Sequence, residues 1–403
     1  MLKLAFRNIF RHYLRTGLTL AAIMFGVVGL VLSGGFVEDI FYQLRENTIH
    51  SQLGHMQVYK TDYFAVGRRD PYKYIIENPQ QKADKLKALE DVSDVMMRLN
   101  FSGLLNNGRA DLPIMGEGIQ AEKEAQLGSA LKILSGRQIN ESDEYSILLG
   151  QGVAQSLQLK PGDYVSLLAN TAYGALNSFE FQVVGIFQSF SKEFDKHAIR
   201  IPLLAAQDLL STAGAHSLVL SLSNSDETDY VAQQVRQLLS EKEFEVYAWY
   251  ELADFYQKTV DMYRQQFAVL KLIILVLVLL SVANSVSMAV HERTGEFGTL
   301  KALGRRRSHV FKLILIENSI LGLMGAVLGV ALGVLLAWLI SEVGITMPPP
   351  PNSNSEYTAY IQIVPSVLLI GFLVGAVATM LAAIIPALRV SRVPVVDALR
   401  HNI

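Results

Sequence analysis

The chain has 403 residues, with 35 Lys and Arg against 37 Asp and Glu, so its net charge of −2 offers no global attraction for nucleic acid. Hydrophobic residues make up 51% and charged residues 18%, below the roughly 25% of a soluble domain, and mean hydropathy is +0.28. These values exclude a disordered chain and place part of it in lipid. With no cysteine there is no disulfide framework, no thiolate nucleophile and no Cys-ligated metal.

Residues 1–15 read as an amphipathic helix. Lys3, Arg7, Arg11 and Arg15 follow one face, while Leu2, Phe6, Ile9, Phe10 and Tyr13 cluster opposite. Such a helix lies in the headgroup plane of the lipid bilayer with its cations toward anionic lipid. The uncharged run 16–37 is the first of four, followed by 272–290, 318–341 and 357–388. A helix needs about 20 apolar residues to cross the hydrocarbon core, so four spans are predicted. The first is too long for a signal-peptide core and lacks an A-x-A site, which predicts an uncleaved anchor. Pro365 and Pro386 are expected to open and close the last helix.

Between the first two spans, residues 41–265 form a domain large enough to bury its own core. Strand-like runs lie at 55–59, 164–168, 179–184 and 218–222, with helical patterns at 81–89, 152–157, 203–210 and 226–239. An α+β domain follows, of one body or two subdomains, with helical stalks at 40–52 and 252–266. The expected order is therefore residues 1–15, a first membrane helix 16–40, the domain 41–265, a second membrane helix 266–290, a charged connecting segment 291–311, a third membrane helix 312–341, a loop 342–360, a fourth membrane helix 361–388 and a tail 389–403. Lys and Arg crowd residues 3–15, 293–312 and 389–400 and are absent from 342–356. By the positive-inside rule both termini and 291–311 are cytoplasmic, and 41–265 is extracytoplasmic.

The connecting segment carries Phe297, Leu300 and Leu303 at i, i+3 and i+6, a stripe suited either to a groove in a cytoplasmic protein or to the chain's own helix ends. In the third span Gly325, Gly329 and Gly333 are spaced by four and predict close helix packing. Met24, Val28 and Val31 give the first span an apolar, adaptable surface for cargo or lipid. No P-loop, H-E-x-x-H or G-x-S-x-G motif occurs. The two nearby histidines, His50 and His55, lack a third ligand, so no metal site is expected. No span has a charge at its centre, which disfavours an ion-coupled transporter.

One span, a large outer domain and three further spans resemble the permease family of MacB, FtsX and the LolC/LolE lipoprotein-release subunits. The resemblance is carried by Glu292-Arg293-Thr294-Gly295-Glu296-Phe297-Gly298 through Lys301-Ala302-Leu303-Gly304, by the closing 386–392 and 397–400, and in the outer domain by 150–163, 183–187 and 201–210. It implies an integral membrane α-helical protein with an α+β domain inserted between helices 1 and 2. It implies a non-catalytic permease subunit of a mechanotransmission-type ABC transporter, paired with a second permease copy or homologous permease and with a separate ABC ATPase that binds ATP and Mg. Glu292, Arg293, Glu296, Phe297, Gly298, Leu300, Lys301, Ala302 and Gly304 would then form the ATPase-coupling site, in a bacterial inner membrane. The cargo implied is a lipoprotein or other lipid-anchored molecule. The alternatives are MacB-like efflux of peptides or small molecules with a periplasmic adaptor, or FtsX-like control of a cell-wall hydrolase. Where LolC and LolE end the first span with a Met-Asn-Gly-Phe-like stretch, this chain has Ser33-Gly34-Gly35-Phe36.

Overall fold

The computed structural model describes residues 13–67, 70–127, 131–189, 191–240, 242–348 and 357–400. The expected amphipathic helix at 1–15 lies almost wholly outside them. The chain divides into two units, one holding the membrane-length helices and the other residues 43–258 together with 348–357.

The helical unit holds α1 (Tyr13–Thr48) as far as residue 42 and most of the three later long helices introduced below. All four are long and apolar enough to cross a membrane.

In the second unit the chain runs through β1 (Met56–Lys60), α2 (Pro79–Lys87), β2 (Val92–Asn106), β3 (Asp111–Ile119), α3 (Ala121–Leu127), β4 (Lys132–Gly136), β5 (Ser146–Gly150), α4 (Gln151–Leu157), β6 (Tyr164–Asn170), β7 (Leu176–Gln188), β8 (Ala198–Pro202), α5 (Leu203–Leu210), β9 (Ser217–Leu222), α6 (Thr228–Leu238) and β10 (Phe244–Ala248). At one end the strand order is β10-β1-β9-β2, all antiparallel. α2 connects β1 to β2 and α6 connects β9 to β10, so this end is a split βαβ pair of ferredoxin-like order. Everything between β2 and β9 is an insertion. There β2 pairs with β3, β3 with β8, β8 with β5, β5 with β7, β7 with β6, and β6 returns to β2. The six strands close a ring, which leaves them no free edge. The long β2 belongs to both parts, its first half pairing with β9 and its second with β6.

The ring is filled by Phe101, Leu105, Ile147, Leu149, Val165, Leu167, Phe181 and Val183, all buried. β6 shows the period that a half-buried strand requires: Val165, Leu167 and Ala169 point in while Tyr164 and Asn170 are exposed. Opposite Phe101 in the β2–β3 register stands Gly116, where a Cβ would lie 2.1 Å from the ring. That position must stay bare for the aromatic to lie flat across the strand. α5 reaches the sheet at Gly118, where a Cβ would come within 2.3 Å of Ala206.

Two ion pairs built on buried arginines stiffen this unit. Arg98 of β2 donates to both carboxylate oxygens of Glu124 on α3, at 2.8 Å through Nη2, and also to the Gln52 carbonyl. Arg200 donates to Glu117 at 2.9 Å. Burial alone would weaken the charge on Arg98, but the facing carboxylates of Glu124 and Glu117 outweigh it and hold the guanidinium protonated.

In the helical unit α7 (Asp254–Glu292), α8 (Thr294–Ala302), α9 (Arg307–Val343), α10 (Pro365–Arg392) and the short α11 (Val395–Arg400) follow. α10 begins at Pro365 but does not end at Pro386, which lies inside it. One proline removes a single intrahelical bond; the buried Ala382, Ala383 and Ala387 around it keep the helix packed to Arg392. The glycines of α9 receive α1 as ridges into a groove. A Cβ on Gly325 would meet Ile23 at 2.9 Å, one on Gly329 would meet Val27 at 2.7 Å, and one on Gly333 would meet Val31 at 3.0 Å. Val31 and Val28 are therefore inside this unit, 3% and 5% exposed, and Met24 is half-buried with its carbonyl against Gly329. Of the expected cargo- or lipid-contacting residues, Val31 thus packs into the α9 groove, because valines are knobs that glycines admit, Met24 touches Gly329 through its backbone, and Val28 is buried. The exposed residues of α1 include Leu18 and Phe25 instead.

Candidate functional site

The segment joining α7 to α9 is built outward from one arginine. The helix breaks at Arg293, and Thr294 turns its hydroxyl back to the carbonyls of His291 at 2.7 Å and Val290 at 3.2 Å, satisfying groups that the end of α7 leaves open. The Arg293 guanidinium donates to Glu317 of α9 at 2.9 and 3.4 Å and to Glu296 at 3.1 Å, and lies 5.1 Å over the Phe297 ring. Burial opposes its charge, but the two carboxylates prevail and raise its pKa. Phe297 is 1% exposed and belongs to the apolar cluster of Val286, Val290, Val310 and Ile314.

At the other end of α8, Lys301 donates to the carbonyls of Val390 at 3.1 Å and Val393 at 2.9 Å, so a cation completes the C-terminus of α10. α8 also packs along α11. Gly304, with φ of +85°, stops the helix: its N–H bonds Lys301 and the N–H of Arg305 bonds Leu300, the paired closure that needs a left-handed residue.

This geometry redistributes the expected coupling residues. Glu292, Glu296 and Ala302 are exposed, together with Thr299 and the 77%-exposed Leu303, the outermost residue of the expected apolar stripe. Glu296, Thr299 and Leu303 are spaced 3 and 4 apart and form one outward face along α8 and its C-terminal cap, while Glu292 ends α7 before the break. Phe297 and Gly298 are buried, and Leu300 is half-buried against the same cluster. Arg293 and Lys301 are clamps, and Gly304 is a stop. The apolar stripe is corrected for a geometric reason. At about 100° per residue, two steps of three carry Leu303 roughly 120° around the helix from Phe297, so one faces in and the other out.

His50 and His55 meet edge to face with centroids 5.6 Å apart. His55 has both ring nitrogens engaged, by Ser225 Oγ at 3.0 Å and the Leu222 N–H at 3.1 Å, and burial first of all depresses its pKa to about 4. It is a neutral structural histidine. Among the described residues no group of three or more His, Asp or Glu could hold a metal ion.

Two family models match the chain: the MacB-like periplasmic core domain over residues 16–238, and the FtsX-like permease C-terminal model over 268–395. An uncharacterized ABC transporter permease of Methanocaldococcus jannaschii is 23% identical over 93% of this chain and 92% of its own. The lipoprotein-releasing system transmembrane protein LolC of Xylella fastidiosa is 24% identical over 75% of this chain and 76% of its own. The macrolide export ATP-binding/permease protein MacB of Campylobacter jejuni is 22% identical over 88% of this chain but only 56% of its own length. Among solved structures, the periplasmic region of MacB from Actinobacillus actinomycetemcomitans aligns with 51% of this chain and 92% of its own at 17% identity and a TM-score of 0.37. The core-domain model alone covers more than half of the chain and the permease model most of the remainder, and the chain belongs to the MacB/FtsX-type family of ABC transporter permeases.

Proposed function

We propose that this permease is the lever of a mechanotransmission transporter. A separate ATPase, carrying ATP and Mg, docks on the outward face of α8 from the cytoplasm, and its closure moves the outer domain on the far side of the membrane. The observation that carries this reading is the double clamp on α8. Arg293 ties its start to α9 and Lys301 ties its end to α10, so a push on Glu296, Thr299 and Leu303 reaches two long helices as one body. Positive charge around residues 293–312 and 389–400 supports a cytoplasmic placement. On α7, Val269, Leu272, Ile273, Val276, Leu277 and Leu280 are exposed, a face suited to lipid or to a second permease copy.

The cargo we favour is a lipoprotein or other lipid-anchored molecule at the outer face of the inner membrane, on the similarity to LolC. A second reading, export of soluble peptides or small molecules, is favoured by one feature of the outer domain, a large open cleft lined with carboxylates.

The test is co-purification of the ATPase with the tagged chain from native membranes. Thr299→Lys with Leu303→Glu places two charges on the outward face without touching the clamps, and should abolish co-purification and the associated ATP hydrolysis. Retention of the ATPase by this double variant sinks the assignment.

A further inference from the structure

The second unit carries a cleft of about 1260 Å³ bounded by the start of α2, the β3–α3 junction, the loop before β5, and α5. Small-molecule sites typically enclose about 300–1,000 Å³, so this one has room for a length of peptide. Its charge is one-sided. Glu122, Glu141, Glu144 and Asp208 line it and are exposed. The remaining charges there are already engaged. Lys123 donates to the Val95 carbonyl at 2.7 Å and pairs with Asp94 at 3.4 Å. Asp143 is held by Arg137 in a two-pronged pair at 2.6 and 2.8 Å, which keeps its carboxyl below the usual range despite some burial.

Apolar groups face the same space. Leu204 is 75% exposed and Tyr145 44% exposed, both unusual for residues of this size on a well-packed domain. Tyr145 is fixed by edge contacts to Phe179 at 5.6 Å and Phe181 at 5.9 Å, and its carbonyl accepts from the Gln182 N–H. The Arg137–Asp143 pair pins the same loop, so the cleft wall is preformed and binding need not order it.

We infer that this cleft binds a basic, amphipathic peptide free of lipid: cations opposite the four exposed carboxylates, apolar side chains on Leu204 and Tyr145. A wall with one sign of charge concentrates ligands of the opposite sign and repels its own, so anionic headgroups and acidic segments are excluded on the same grounds. The inference builds on the soluble-peptide reading of cargo. It is tested without nucleotide, so its failure stays separate from any failure of ATPase coupling.

The experiment uses the full chain in nanodiscs of zwitterionic phospholipid, with empty nanodiscs subtracting peptide that partitions into lipid. The probes are a short fluorescent peptide alternating lysine with leucine, the same peptide with glutamate for lysine, and an N-palmitoylated lysine form. The lysine peptide should bind, and more weakly as salt rises. The combined variant Glu122→Gln, Glu141→Gln, Glu144→Gln, Asp208→Asn should weaken it about ten-fold or more. Leu204→Lys, on a side chain too exposed to matter for folding, should weaken it as well. Glu180→Gln with Glu243→Gln, elsewhere on the same unit, should leave it unchanged. Equal binding to wild type and to both cleft variants, equal binding of the glutamate peptide, or binding of the palmitoylated form alone would each overturn the inference.

Discussion

Arg98 shows how much one side chain can hold in place. It and Glu124 are each 3% exposed, and the same guanidinium also reaches the Gln52 carbonyl. Replacing one partner of such a pair strands the other's charge in a dry interior, at a cost of about 3–5 kcal/mol. Arg98→Met should therefore lower the unfolding midpoint of the outer domain sharply, whereas Arg98→Met with Glu124→Leu should recover most of the loss. The pH dependence separates stranded charge from lost packing. Burial by itself raises the Glu124 carboxyl, but Arg98 overcomes this and holds it below 4.5. In the wild type the pair's contribution is complete above pH 4.5 and disappears as pH falls through the lower folded value. In Arg98→Met burial is opposed only by the weaker field of Arg200, the carboxyl rises, and acid relieves the variant by neutralising it. The gap between wild type and variant should narrow as pH falls; thermal melts across pH 4–7 that show a constant gap would mean Arg98 acts by shape alone.

At the level of elements, the glycine face of α9 was legible because small residues every fourth position leave a groove whatever fills it. Its occupant was not legible, since nothing in the sequence says that Ile23, Val27 and Val31 are the ridges. Gly329→Leu is the sharpest probe. Its Cβ would meet the Val27 Cβ at 2.7 Å and the Met24 carbonyl at 3.0 Å, and backbone cannot swing aside as a long side chain can. Overpacking of about 1–3 kcal/mol or more is expected, read as a lower detergent-solubilised melting temperature, with Val27→Ala partly restoring it. The strands divide the same way. β6 declares itself by alternation, but β5 is buried at every position and has no period to read. β3 hides behind Pro113, Gly116 and Gly118, of which the last two are there to admit Phe101 and α5. β2 changes partners midway, and a strand serving two sheets cannot keep one alternation. The Phe297 stripe was visible as a pattern, and of its two expected partners Phe297 takes the chain's own helix ends while Leu303 turns outward, because a step of three drifts around a helix instead of staying on one face.

For the whole molecule, the two passages of chain at residues 42–43 and 258–259 both fall inside helices, α1 and α7, while the apolar runs that define the spans end well before them. Beyond the span α1 continues on buried Ile40 and Leu44, and under the proposed function both helices serve as levers, because a hydrogen-bonded helix transmits a displacement that a coil absorbs. Three glycines inserted after Tyr42 should separate these roles. Each glycine disfavours helix by about 1 kcal/mol relative to alanine, and a run of them would break α1 outside its membrane span without altering α8, its clamps or the outward face at Glu296 and Leu303. The insertion should leave ATPase co-purification and basal hydrolysis intact, since docking needs only the α8 face. It should abolish stimulation of hydrolysis by cargo and release of cargo from membranes, since both require motion to pass along α1. A control insertion of three alanines, which keeps the helix but rotates its continuation by about 300°, tests whether continuity alone suffices or whether phase matters too. Cargo release at wild-type rate in the glycine variant would show that α1 is a tether and not a lever, leaving α7 as the sole remaining helical route for the motion.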